Sequence, residues 1–93
     1  MEFEALARRT EELAKRRASI YTLGRNGALA AVDDGGTEED VDSHWNNIGS
    51  TFQHEYPDWT QFDLGALERG FMFTLRDKGV NHTPHGVCPE YYK

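Results

Sequence analysis

Between Thr37 and Lys78 the apolar positions repeat with the period of a helix, in two runs separated by a break. Val41, Trp45, Ile48 and Phe52 fall at offsets of four, seven and eleven from the first and therefore share one stripe. Thr37, with Asp40 three positions on, has the form of a capping pair: the hydroxyl accepts a first-turn N–H while the acid reaches back and meets the positive end of the helix dipole. Pro57 disfavours helical backbone at Tyr56 and offers no N–H, so this helix is expected to stop there. A second run restarts at Asp63 and places Leu64, Leu67, Phe71 and Leu75 at the same kind of spacing. Arg76 and Lys78 lie in its last turn, and Gly79 is a left-handed stop.

Residues 2–17 predict another helix, because Glu4, Glu11 and Glu12 precede Arg8, Lys15 and Arg16 by four positions, the favourable orientation for helical ion pairs. Its inner stripe would be Phe3, Leu6, Ala7, Thr10, Leu13 and Ala14. Leu6, Leu13 and Ile20 stand seven apart, as in a helix–helix seam. Thr10 and Arg17 occupy the alternate seam position, so packing within the domain is expected rather than a long coiled coil.

Two predictions compete for residues 19–33. Ile20, Tyr21 and Thr22 favour a strand, and Asn26-Gly27 is turn chemistry, which together predict a hairpin pairing 19–24 with 28–33. Alternatively Ile20 and Tyr21 continue the first helix, with Gly24 as its stop. The hairpin is preferred, since the β-branched and aromatic run coincides with the turn signal. The expected fold class is therefore α+β and mainly helical: an N-terminal helix, a short β-hairpin, two packed amphipathic helices and an irregular C-terminal tail. An all-α small bundle is the alternative. Residues 1–80 would form one small globular domain and 81–93 the tail, where Pro84, Gly86 and Pro89 interrupt any period.

Length and composition narrow this little. Ninety-three residues suit one core, and two Trp, five Phe and four Tyr suffice to build it. No apolar run approaches the ~18 residues of a span and no charged-then-apolar leader opens the chain, so a cytoplasmic setting without membrane insertion is expected. Charge changes the picture more. The net charge is −6, yet residues 26–68 contain ten acids and no Lys or Arg, while residues 1–25 carry six basic and four acidic side chains. Such polarity can steer a charged partner, or a second copy arranged antiparallel.

Candidate chemistry is sparse. His82, His85 and Cys88 form an H-x-x-H-x-x-C run of zinc-ligand types, but a fourth ligand, His44 or His54, would have to come from elsewhere. No metal or other cofactor is expected on that spacing. There is no nucleophile elbow, phosphate-cradling loop or HExxH helix, so the chain is expected not to be an enzyme. A small metal- or thiol-dependent enzyme built on His82, His85 and Cys88 is the alternative. Direct nucleic-acid binding is disfavoured because acids interleave the basic residues of the first helix, although an acidic middle can itself imitate nucleic acid in a basic groove.

Two surfaces stand out for contact with another protein. Asn46, Ser50 and Gln53 form a polar, uncharged face of the second helix, cheaper to desolvate than carboxylates. Ala66, Gly70 and Phe73 lie opposite the apolar stripe of the third helix, flanked by Met72, so that helix is either central or offers an interface. A small acidic protein-binding module, an adaptor or inhibitor and a homodimer in solution, is the resulting expectation. Such chains are common among accessory proteins of bacteria and their phages.

Overall fold

In the computed structural model, which describes residues 2–85 with side-chain surroundings from Glu4 onward, the chain forms three helices: α1 (Glu2–Asp33), α2 (Glu38–Glu55) and α3 (Gln61–Asp77). The described residues contain no strand, so the α+β fold with a hairpin over 19–33 is corrected to an all-helical small bundle. The correction has a clear physical cause. Ile20, Gly24, Gly27, Ala28 and Ala31 are all buried and recur at helical spacing, so the glycines that resemble turn residues are contact positions. Each Gly lowers helix propensity by about 1 kcal/mol relative to Ala. What offsets this is the closeness of the neighbouring helices.

The α1–α3 crossing is tight enough to exclude a side chain from either partner. A Cβ at Gly70 would overlap the Tyr21 carbonyl and come within 3.2 Å of the Arg25 amide, while one at Gly24 would overlap the Leu67 carbonyl and lie 2.9 Å from the Phe71 amide. The two glycines thus open the crossing reciprocally. Gly27 does the same for α2, since a Cβ there would press on the Ile48 side chain, 3.1 Å from its Cδ1. Around the crossing, Ile20, Val41, Phe52, Leu67, Phe71, Met72 and Leu75 form the fully buried core. Trp45 of α2 closes one side of it, its ring 5.2 Å from that of Phe71.

The helix ends follow the sequence signals closely. Thr37 caps α2 and its N–H donates back to the Asp40 carboxylate at 3.1 Å, completing the capping box. Thr60 and Asp63 repeat the device at α3, which starts at Gln61, slightly before the expected Asp63. Gly36 takes φ 68° in the turn after α1, and Gly79 takes φ 79° after α3. Beyond it the chain folds back along α3. Arg76 donates to the Val80 carbonyl at 2.7 Å, to that of His82 at 3.2 Å and to the Thr83 hydroxyl at 2.9 Å, and Pro84 is fully buried.

One expectation for α1 fails. At ~1.5 Å per residue, its 32 residues span about 48 Å, against about 27 Å for α2 and 26 Å for α3. Residues 4–15 overhang the bundle and every one is exposed, so Leu6, Ala7, Thr10, Leu13 and Ala14 line no core. The molecule is correspondingly long, 52 × 27 × 21 Å.

The crossing yields a graded set of stability changes for urea denaturation. Gly70→Ala and Gly24→Ala should each destabilise by about 1–3 kcal/mol through overpacking on backbone. Phe71→Ala should cost about 3–5 kcal/mol through the cavity it leaves. Gly49→Ala, whose Cβ would meet nothing within 4 Å, should instead stabilise by up to about 1 kcal/mol.

Candidate protein-binding groove

Both α2 and α3 pack along α1, α3 the more extensively, while α2 and α3 touch each other through side chains rather than close backbone. Their separation leaves a groove of about 430 Å³ between them. The apolar part of its lining is Trp45, Phe52, Trp59, Leu64 and Leu67; Asn46, Gly49, Ser50, Gln53 and Glu68 supply the rest. Trp59 lies over Phe52, their ring centroids 5.7 Å apart, and remains 38% exposed. Trp45 is half-buried by its contact with Phe71. Both tryptophans of the chain therefore present aromatic surface to one concavity, beside amide and hydroxyl groups that can donate and accept.

One end of this groove is held by a cluster of charge. Arg16 of α1 donates to Asp58 in the α2–α3 loop at 2.9 Å and to Asp63 at 3.2 Å, and its guanidinium lies 5.0 Å from the Tyr56 ring centroid. Asp63 is almost fully buried and serves two purposes, capping α3 and anchoring that cap to α1. Arg17 stands 3.8 Å from the same carboxylate, an ion-pair distance, and 5.5 Å from the Phe62 ring. The hydrogen bond from Arg16 holds the Asp58 carboxyl below its ordinary pKa, and the same bond raises Arg16. Asp40 is also lowered, by the Thr37 hydroxyl and then by the Thr37 N–H. Trp59 thereby sits on a loop pinned at Asp58 and Thr60, not on a free connection.

The residues singled out from sequence divide between surface and core. Asn46, Ser50 and Gln53 are exposed and all three line the groove. Ala66, Gly70 and Met72 are buried, Gly70 directly beneath α1, leaving Phe73 as the exposed member of that set at 48%. Phe73 borders a second depression of about 420 Å³ with Tyr21, Arg25, Leu29, Thr74, Asp77 and Lys78. His82 and His85 are exposed and separately engaged: the His82 carbonyl accepts from Arg76, and the His85 ring and backbone N–H meet Asp42 at 3.0 and 3.1 Å. Cys88 lies outside the described residues, among which no three His, Cys, Asp or Glu side chains are grouped to hold a metal ion. No helix among them is long and apolar enough to cross a membrane.

Sequence reasoning missed Trp59 and Leu64 as groove residues. Tyr56, Trp59 and Phe62 all lie around the Pro57 break, where aromatics commonly plug the end of a helical layer, yet Phe62 is 70% exposed and Trp59 38%. A signal was available, since an aromatic two residues after Pro57 in a tight turn is displayed as readily as buried. No family model, curated protein or solved structure matches this chain.

The Arg16 cluster and the α2 cap give the protein a directional pH response. Because Asp58 and Asp40 titrate lower when folded than when unfolded, their contributions are fully present above roughly pH 4 and fade as pH falls through their folded values. Urea midpoints should therefore drop between pH 6 and pH 3, and less steeply in Asp58→Asn than in the parent. Asp63→Ala, which removes both cap and anchor, should cost about 2 kcal/mol or more at neutral pH.

Proposed function

We propose that this protein is a small binding module that recognises another protein through the α2–α3 groove and acts as an adaptor or inhibitor of that partner. The observation that supports this most directly is the groove itself: two tryptophans and Phe52 beside Asn46, Ser50 and Gln53, in a concavity lined by α2, α3 and the loop between them. A helix laid between α2 and α3 would complete a four-helix arrangement, the helix-in-groove mode of recognition. Tryptophan is a favoured anchor at such contacts because it offers a large apolar face with one polar N–H. Amides and hydroxyls at the rim fix register without the cost of desolvating a carboxylate.

The chemistry of the occupant follows from the surroundings. Residues 26–68, which include all of α2 and the α2–α3 loop, carry no Lys or Arg. An amphipathic segment with basic residues flanking its apolar stripe fits this field, and the acidic surface would speed its encounter in a salt-dependent manner.

Gly49 gives a clean test, as its Cβ position opens onto space at the groove. Gly49→Trp should leave the bundle folded and fill the concavity. The partner captured from lysate of the native host by the parent should be absent with the variant. Its titration should shift the intrinsic fluorescence of the parent, because Trp45 and Trp59 both line the site. Equal capture by both proteins would refute the groove as the contact.

A further inference from the structure

We infer that the α2–α3 groove takes the guanidinium group of an arginine side chain supplied by the partner, laid against the ring of Trp59. The inference rests on the reading of this groove as the contact surface, and it names the group that enters. Aromatic side chains form a continuous run at this end of the bundle: the Tyr56 and Phe52 ring centroids are 5.8 Å apart, and those of Phe52 and Trp59 5.7 Å. One end of that run already carries a cation, since the Arg16 guanidinium lies 5.0 Å from the Tyr56 centroid. Arg17 stands likewise 5.5 Å from the Phe62 ring. At the other end Trp59 is 38% exposed and lines the groove with Trp45, and among the described residues no Lys or Arg lines that concavity. Tryptophan offers a cation the most favourable face of any side chain.

Charge selects the occupant. Glu68 is the charged member of the described lining, and Asn46, Ser50 and Gln53 add amide and hydroxyl oxygens, so each of these polar groups can accept a hydrogen bond. Residues 26–68 hold ten acids and no Lys or Arg, and Arg16 is engaged by Asp58 and Asp63. An arriving cation therefore meets aromatic faces and acceptors with no positive charge in the wall to oppose it. An anion would meet the negative faces of the same rings. The chemistry of the wall also distinguishes one cation from another. A guanidinium is planar and weakly hydrated, so it can stack on the Trp59 ring while its edge donates to the surrounding oxygens. A lysine ammonium is compact and more strongly hydrated, and a quaternary ammonium has no N–H to give those acceptors.

Titration of the full chain with acetyl-arginine amide, acetyl-lysine amide and the neutral isostere acetyl-citrulline amide, at constant ionic strength, tests the site. The indole N–H resonances of Trp45 and Trp59 should shift saturably with the arginine compound. The citrulline and lysine compounds should each bind at least about fivefold more weakly. Trp59→Leu keeps an apolar cover over Phe52 and should lose a similar factor for the arginine compound, with the circular dichroism of the bundle retained. Gly49→Trp, which fills the concavity from another position, should abolish the binding. Four results would overturn the inference: no saturable shift in the parent, citrulline bound as tightly as arginine, lysine bound as tightly as arginine, or undiminished binding by both variants, as a diffuse acidic surface would give. Failure of the groove as the protein contact reads differently, as equal capture of the lysate partner by the parent and Gly49→Trp, whatever these titrations return.

Discussion

The closeness of α1 and α3 governs this structure, and two glycines make it possible. Gly24 and Gly70 each accept the other helix's backbone where a methyl group would collide with a carbonyl. With α3 seated so deeply on α1, α2 is left to cover the remaining face, its Ile48 resting over Gly27. Because both later helices are referred to α1, they need not be close to one another. The groove between them is thus a consequence of where the small residues lie on α1, and its aromatic walls are the outer margins of the core. A bundle with larger residues at those positions would stand its helices farther apart and lose the distinction between a packed seam and an open one.

The acidic middle acquires a different meaning in three dimensions. Asp34 meets His44, Asp40 closes the α2 cap, Asp42 holds His85, and Asp58 and Asp63 share Arg16. Five of the ten acids in residues 26–68 are thereby engaged with groups of their own chain. They fasten helix ends and turns, where an orphan N–H or a neighbouring cation gives a carboxylate something to hold. Of the remaining acids, Glu68 lines the groove. A negative surface that is partly tied down in this way has a field set by its pattern as well as by its total charge.

How much of this the sequence disclosed depends on which signals compete. For α2 and α3 they agree: Thr37 with Asp40, the stripe Val41 to Phe52, Pro57, and the stripe Leu64 to Leu75 all indicate the elements found. In α1 they conflict. Tyr21 and Thr22 favour a strand and Asn26-Gly27 a turn, and only the tertiary contacts of Gly24, Gly27 and Ala28 tip that stretch to helix. Apolar periodicity that counts large side chains alone passes over a face made of Gly and Ala. The same blindness applies to Ala66 and Gly70, whose small size indicated close approach without indicating whose backbone arrives. Asn46, Ser50 and Gln53 were legible as an uncharged face; that Trp59 would lie across from them depended on the path of a loop, which no spacing encodes.

One outcome of the continuous α1 is chemical. An Asn-Gly pair is the dipeptide most prone to deamidation, because the amide nitrogen that follows can attack the side-chain carbonyl and close a succinimide ring. That attack needs a backbone rotated well away from helical geometry and a following amide free of its hydrogen bond. Within α1 the Gly27 amide is held in the helical ladder and Gly27 itself is buried beneath Ile48. Asn26 is accordingly protected from ageing by its conformation, although its side chain is exposed. Aspartate or isoaspartate accumulating there would record how often the middle of α1 has opened, a slow covalent memory of the molecule's local unfolding.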